Sequence, residues 1–290
     1  MKSPERAILS VDVEDYFHVE AFAGVVARSD WDRFPQRVEA NTHRVLDLLD
    51  EIGARATFFL LGWVADRHSP LVREIAGRGH ELACHSYWHR PVYSLTRDEF
   101  REDTLLAKQV IEQAAGVAVW GYRAPSFSVT LRSLWALEVL AELGFRYDSS
   151  IFPIRHDLYG IPDGPRRPFR AGPLVEFPAT TFRWPGGANL PVGGGGYLRI
   201  LPFWLTQLGI RRAWREGLPL IVYFHPWELD PGQPRLAVPL KSRLRHYTNL
   251  SATASRLRRL GRSVHFVPFR ESGLLETAAE SDFMSRTISA

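Results

Sequence analysis

HELACHSYWHRP, residues 80–91, begins as a strand and ends as something else. Leu82, Ala83 and Cys84 form the short apolar run of a buried strand, and two histidines, His85 and His89, follow four residues apart ahead of Pro91. A compact turn can aim both imidazoles at one point, and a zinc site needs such nitrogens at about 2.0 Å together with a carboxylate. Taken alone the spacing is a weak signal, because histidine pairs of this kind more often stack, cap or face solvent. Its weight comes from position, at the C-terminal end of a strand.

The same arrangement recurs along the chain. AILSVDV (7–13), ATFFLL (56–61), HELACH (80–85), VWGYRAP (119–125), FRYDSS (145–150), LVEFPA (174–179), LPLIVYFH (218–225) and SVHFVPF (263–269) read as strands. Between several of them lie amphipathic helices. Residues 35–53 put Val38, Val45, Leu48, Leu49 and Ile52 largely on one stripe and stop at Gly53. Residues 96–116 place Thr96 three residues before Glu99, a capping box, and end at Gly116; 133–144 and 201–217 behave similarly. Alternating strands and helices make an α/β fold with parallel strands, either a doubly wound sheet or a barrel. In a barrel, functional residues collect just past the C-terminal ends of several strands. Asp12 to Asp15, His85 to His89, Arg123, Asp148 and His225 all stand there, which predicts a barrel. Residues 153–199, rich in Pro and Gly, read as an insertion over the barrel rim, so the expected organisation is one domain over 1–273 and a soluble tail over 274–290.

Composition narrows the function classes. Of 290 residues, 45% are hydrophobic and 23% charged, an ordinary globular balance with enough apolar material for a sizeable core. The net charge of +4 is spread along helices such as SRLRRLGR, which suits solvated faces better than an acidic polymer or a membrane surface. Nothing in it suggests nucleic acid. Cys84 is the single cysteine, so no internal disulfide forms. The N-terminus MKSPERAILSVDVED lacks the apolar segment of a signal peptide, and no run is long enough to span a bilayer; the expected location is cytoplasmic.

Each remaining candidate has a plain alternative. VDVEDYFH crowds Asp12, Glu14 and Asp15 into four positions, either as a solvated turn or as carboxylates drawn into the rim, where they need a cation or a shared proton. GYRAPSF sets Arg123 after a strand with Phe127 beyond it, either as a stacked surface arginine or as a site residue. Asp148 could cap a turn, and His225, after an apolar strand, could be a core histidine bonded to backbone.

The order of these motifs is more specific than any one of them. An acidic strand end, a histidine pair, an Arg-x-Pro-x-Phe run, an aspartate after a strand and a histidine after an apolar strand, over about residues 7–227, resemble the polysaccharide deacetylases, the NodB-homology group of carbohydrate esterases. That resemblance implies a distorted (β/α) barrel, often seven-stranded, removing acetyl groups from N-acetylated sugars with a divalent metal, usually Zn²⁺ with Co²⁺ as the alternative. It implies Asp12 as general base, His85 and His89 with a following acid as metal ligands, Arg123 orienting Asp12, and Asp148 tuning His225 as general acid. Where the family has two adjacent aspartates this chain reads Asp12, Val13, Glu14, Asp15, leaving Glu14 and Asp15 both as candidate ligands. Glu14 is a methylene longer than the usual aspartate, and Asp15 has the wrong strand parity unless the strand has ended.

VEDYFHVEAF, LPVGGGGYLRILPFW and YFHPWELDP are similar to deacetylases encoded with bacterial exopolysaccharide export and exosortase systems, which implies an exopolysaccharide or its precursor as substrate and association with the synthesis machinery. Phe127, Tyr197, Trp204 and Trp227 are aromatics that could line a sugar subsite, though packing explains Trp204 on its helix better. Glycines 193 to 196 allow backbone to approach a substrate or form a flexible rim loop. Two rival functions remain: a hydrolase of ureide-type C–N bonds on the same scaffold, and a catalytically silent carbohydrate-binding protein.

Overall fold

A computed structural model of the chain describes residues 5–284; residues 1–4, and 285–290 of the expected tail, lie outside the described residues. The strands are β1 (Glu5–Val13), β2 (Thr57–Leu60), β3 (Glu81–Cys84), β4 (Gly121–Tyr122), β5 (Tyr147–Asp148), β6 (Phe169–Ala171), β7 (Leu174–Glu176), β8 (Thr181–Arg183), β9 (Asn189–Pro191), β10 (Ile221–Phe224), β11 (Val264–Val267) and β12 (Ala279–Glu280). The helices are α1 (Val38–Glu51), α2 (Gly62–Arg67), α3 (Ser69–Gly77), α4 (Arg97–Ala115), α5 (Trp135–Glu142), α6 (Gly195–Ile200), α7 (Phe203–Arg215), α8 (Leu240–Tyr247) and α9 (Thr253–Gly261).

Seven strands run parallel in the order β10-β1-β2-β3-β4-β5-β7, and the sheet continues through antiparallel β6 to β12. The first half of β1 also pairs in parallel with β11. The sheet curls strongly, as a distorted barrel requires. Apart from β1, which starts two residues earlier than expected, the expected strands are present but shorter: VWGYRAP yields only the two residues of β4, because Pro125 opens a 3₁₀ turn over Pro125–Phe127. Helix signals are realised as read. Thr96 Oγ1 accepts from Glu99 N at 3.2 Å while the Glu99 carboxylate accepts from Thr96 N at 2.8 Å, and Gly116 closes α4 in the left-handed region.

Strand alternation sorts the side chains onto two faces. Leu9, Val11 and Val13 of β1 join Phe58, Leu60, Leu82, Cys84 and Tyr122 in the large cluster beneath the helices. Ile8, Phe59, Ala83, Tyr147, Val175 and Ile221 fill the inside of the curl with Phe177 and Phe269. The inner face is therefore the odd-numbered side of β3, β5, β7 and β10 and the even-numbered side of β1, and it leads straight to the functional end. Cys84 is on the outer face, fully buried, with its thiol pushed up by burial, which makes it a packing residue.

The curl is closed on the β10 side by irregular chain. Ile221 N donates to Thr180 Oγ1 at 2.7 Å and Tyr223 N donates to the Gly193 carbonyl at 2.9 Å. This corrects the reading of the glycine run. A Cβ on Gly193 would sit 2.0 Å from the Ile221 carbonyl oxygen, and one on Gly194 would sit 2.1 Å from that of Tyr223, so these two glycines serve the approach to β10. Residues 153–199 hold β6, β7, β8, β9 and nearly all of α6, with β7 as a member of the parallel series. Residues 274–284 are laid against the sheet: β12 pairs with β6 and the Phe283 ring meets Phe169 edge-on.

Gly194→Ala is expected to destabilise the fold by about 3 kcal/mol or more, since the obstructing atom is backbone. Gly24→Ala, whose Cβ would meet nothing within 4 Å, serves as the control at about 0.5 kcal/mol or less in chemical denaturation.

Candidate functional site

At the end of β1 the alternation continues past the last strand residue. Ser10, Asp12 and Glu14 share the inner parity, and all three are buried. Asp15 turns the other way: its carboxylate accepts from Arg37 N at 2.5 Å and Val38 N at 2.9 Å, capping α1, and from Tyr16 N at 2.9 Å. Of the two acids considered as ligands, Glu14 faces the histidines and Asp15 serves a helix terminus. Burial raises the Asp15 pKa to about 6 against those donors.

The two histidines meet Glu14 at one oxygen. His85 Nε2 is 3.1 Å and His89 Nε2 3.0 Å from Glu14 Oε1, and ligating atoms of the three residues all lie within 4.8 Å of one another. The turn that brings them together is strained and braced. Ser86 and His89 adopt left-handed φ of 65° and 50°, unusual for non-glycine residues. Asp103 of α4 accepts from Tyr87 N at 2.8 Å and Trp88 N at 3.3 Å, Ser86 Oγ accepts from His89 N at 3.0 Å, and Arg28 donates to the Trp88 and His89 carbonyls.

The donor set fits a cation. His85 Nδ1 lies 2.7 Å from the Arg123 carbonyl, which can only accept, so the ring proton belongs on Nδ1 and Nε2 offers a lone pair to a carboxylate. Two acceptors facing each other in a buried site need a positive charge between them. Burial works against the Glu14 charge, but His89, His225 and His85 outweigh it and hold its carboxyl well below the usual range.

Beside this centre stand an acid and an imidazole. Arg123, almost wholly buried, donates to Asp12 Oδ1 at 2.7 Å, Ser10 Oγ at 2.9 Å and the Ser149 carbonyl at 3.2 Å, and its guanidinium sits 4.1 Å over the Phe59 ring. His225 Nε2 is 3.8 Å from both Asp12 Oδ2 and Glu14 Oε1. Its other nitrogen, Nδ1, contacts Glu228 Oε1 at 2.7 Å, and Glu228 in turn pairs with buried Arg199 of α6. Burial disfavours charge on His225, but Glu14, Glu228 and Asp12 raise its pKa to about 9; burial likewise disfavours charge on Glu228, yet Arg199 and His225 lower it to about 2.

This replaces the expected partner of His225. Asp148 follows inner-face Tyr147 and so projects to the outer side of the sheet, where it bonds Ser150 Oγ at 2.5 Å and faces Glu176, its register partner on β7. Burial lifts the Asp148 pKa to about 6, and burial together with the Asp148 charge lifts Glu176 well above the carboxylate range. Sequence reading passed over Glu228 and Arg199. A signal for the first was present, because His225-Pro-Trp-Glu228 is a capping-box spacing in which Glu228 also accepts from His225 N at 3.0 Å.

These residues open onto a cavity of about 410 Å³, lined by Asp12, Glu14, His85, His89 and His225 at its floor. Phe127, Tyr197 and Trp227, three of the four aromatics singled out in the sequence, line it, as do Tyr159, Tyr223, Gly195 and Gly196, whereas Trp204 does not. Trp204 is 65% exposed, so packing does not explain it.

Residues 28–147 match the family model described as Polysaccharide deacetylase, and residues 149–273 match a domain of unknown function, DUF3473. The first of these segments is thus similar to the polysaccharide deacetylases. A peptidoglycan-N-acetylglucosamine deacetylase of Bacillus cereus is 33% identical over 98 residues, 33% of this chain and 36% of that protein; the match thus spans little more than a third of the curated relative. A crystal structure assigned to the polysaccharide deacetylases, from Mycobacterium smegmatis, superposes with a TM-score of 0.63 at 21% identity, covering 96% of this chain and 92% of that one. A CE4 family pseudoenzyme from Bacillus anthracis superposes at 0.51 with 16% identity, covering 97% and 68%. These likenesses are of fold, and the family's fold is thus also found in a pseudoenzyme, so the side chains must decide activity.

The Asp148–Glu176 contact predicts a pH effect on stability. A carboxyl whose folded pKa of about 6 exceeds its unfolded 3.8 stabilises fully below the unfolded value and loses that contribution as pH rises through the folded one. Between about pH 4.5 and 7.5 the loss from Asp148 is about 2 kcal/mol. Asp148→Asn is expected to shrink the difference in unfolding free energy between those pH values by about that amount.

Proposed function

We propose that the protein is a metal-dependent hydrolase that removes N-acetyl groups from a glycan, with a bacterial exopolysaccharide or its precursor as the substrate. The single observation that supports this most is the meeting of Glu14, His85 and His89 at one buried point with Asp12 and His225 alongside, at the floor of an aromatic-lined cavity. Glu14, His85 and His89 would hold a divalent cation, Zn²⁺ or Co²⁺, and when bound it supplies Lewis-acid polarisation of the amide carbonyl and of water.

The chain's own groups account for the proton movements. Asp12 takes a proton from the attacking water, and Arg123 holds its carboxylate at 2.7 Å so that the other oxygen stays directed to the cavity. His225 gives a proton from Nε2 to the departing amine as the C–N bond breaks, leaving acetate and a free amino sugar. Glu228 accepts from Nδ1–H and so orients the ring and favours its protonated form. Tyr197 offers a ring for pyranose stacking, whereas Trp227 is already stacked on His225 and His246, and Tyr159 on His156 and Phe152, so these two shape the wall. No serine or cysteine nucleophile is needed.

The test is acetate release from N-acetylglucosamine oligomers by chelated protein before and after adding Zn²⁺ or Co²⁺. Activity is expected to return with metal, to vanish in His85→Ala, and to fall about 10²- to 10⁴-fold in Asp12→Asn. Metal binding without acetate release from any acetylated glycan, and with turnover of ureides, would overturn this reading; sugar binding that persists in Asp12→Asn with no turnover at all would identify a silent binding protein. Glu228→Gln is expected to lower kcat by more than tenfold with KM little changed, while Asp148→Asn leaves both near wild type.

A further inference from the structure

The mouth of the cavity carries a surface that the chemistry at its floor does not use. Its outer wall is built from Leu158, Ile200 of α6, and Ser242 and Arg245 of α8. Leu158 and Ile200 are 46% and 43% exposed, and Leu240 and Leu244, one turn apart on α8, are 69% and 56% exposed. Scattered exposed aliphatics are ordinary, but Leu240 and Leu244 share the solvent face of α8, away from Ser242 and Arg245, and are flanked there by Lys241 and Arg243. The patch rests on a firm base, because Arg199 of α6 donates to the carbonyls of Arg245, His246 and Thr248 and locks α6 to α8.

Charge tells what would cover it. Helix α8, LKSRLRHY, contains no acid, and Lys241, Arg243 and Arg245 are exposed along it. The adjoining rim segment 155–158 adds exposed Arg155 and the one acid, Asp157, which bonds Lys241 at 2.7 Å. Leucines flanked by cations, with no acid on the helix, are the pattern of a short interfacial helix. An anionic bilayer answers both, with headgroups meeting Arg and Lys and the aliphatic side chains entering the interface. No helix among the described residues is long and apolar enough to cross a membrane.

We infer that the cavity rim formed by residues 155–158 and helix α8 docks on an anionic lipid bilayer surface. Docking through the solvent face of α8 sets the cavity mouth beside the headgroup layer. This surface requires nothing of the proposed activity, and the two are read separately.

The experiment is co-sedimentation of the full chain with vesicles of phosphatidylcholine plus phosphatidylglycerol, and with phosphatidylcholine alone. The wild type is expected to pellet with the mixed vesicles and to be released by salt. Two double variants, Leu240→Ser with Leu244→Ser and Lys241→Glu with Arg243→Glu, are each expected to weaken binding about tenfold or more with unchanged thermal melting. Acetate release from soluble oligomers should be the same in both, since none of the four residues lines the cavity. Absence of pelleting on mixed vesicles, or equal pelleting of wild type and variants, overturns the proposal. So does a wild-type dimer in sedimentation velocity that the leucine variant dissociates while vesicles are ignored, which would assign the patch to a second copy of the chain.

Discussion

Arg123 joins the inner face of the barrel to its mouth, and the polar end of the molecule depends on it. A guanidinium enclosed among Phe59, Phe127, Tyr223 and Phe269 is tolerable only if its donors are answered, and Asp12, Ser10 and Ser149 answer them. The same residue acts through its backbone, because its carbonyl accepts a hydrogen bond from His85 Nδ1–H and leaves Nε2 facing Glu14. One residue thereby sets the orientation of the acid and the tautomer of a candidate ligand.

The site is assembled from both matched segments and from neither alone. His85, His89 and Arg123 fall within the polysaccharide deacetylase match at 28–147, whereas His225, Glu228 and Arg199 fall within the DUF3473 match at 149–273, and Asp12 and Glu14 precede both. The physical reason is the sheet order. β10 returns from late in the sequence to lie beside β1, so the imidazole of the second segment arrives next to the acids of the N-terminal strand. A segment of undescribed function thus holds the imidazole together with the carboxylate and guanidinium behind it, and it also carries the glycines that close the curl against β10.

Backbone strain gathers at this end. Ser86, His89, Ser126 and Phe127 all have left-handed φ, and they belong to the two turns that follow β3 and β4. Each turn is fastened from outside the cavity: Asp103 of α4 holds the first by its amides, and Ser150 Oγ accepts from Ala124 N at 2.8 Å at the entry to the second. Helix α4 and the chain just past β5 therefore hold these strained turns in place.

The sequence by itself determined the α/β alternation, the helix ends at Thr96 and Gly116, and the gathering of Asp12, His85, His89, Arg123 and His225 at the functional end. Those signals are local: apolar periodicity, capping chemistry and polar residues that follow a strand. Only the tertiary structure decided between Glu14 and Asp15, because that choice depends on strand parity and on α1 offering amides to Asp15. It also gave His225 the Glu228–Arg199 pair and sent Asp148 to the outer face, since a two-residue strand such as β5 shows no alternation from which its inward side could be read. The glycines at 193 and 194 carried no local sign of their purpose. Their reason is a backbone from β10 lying within about 2 Å of where a side chain would begin, a distance set by long-range packing that only the folded chain contains.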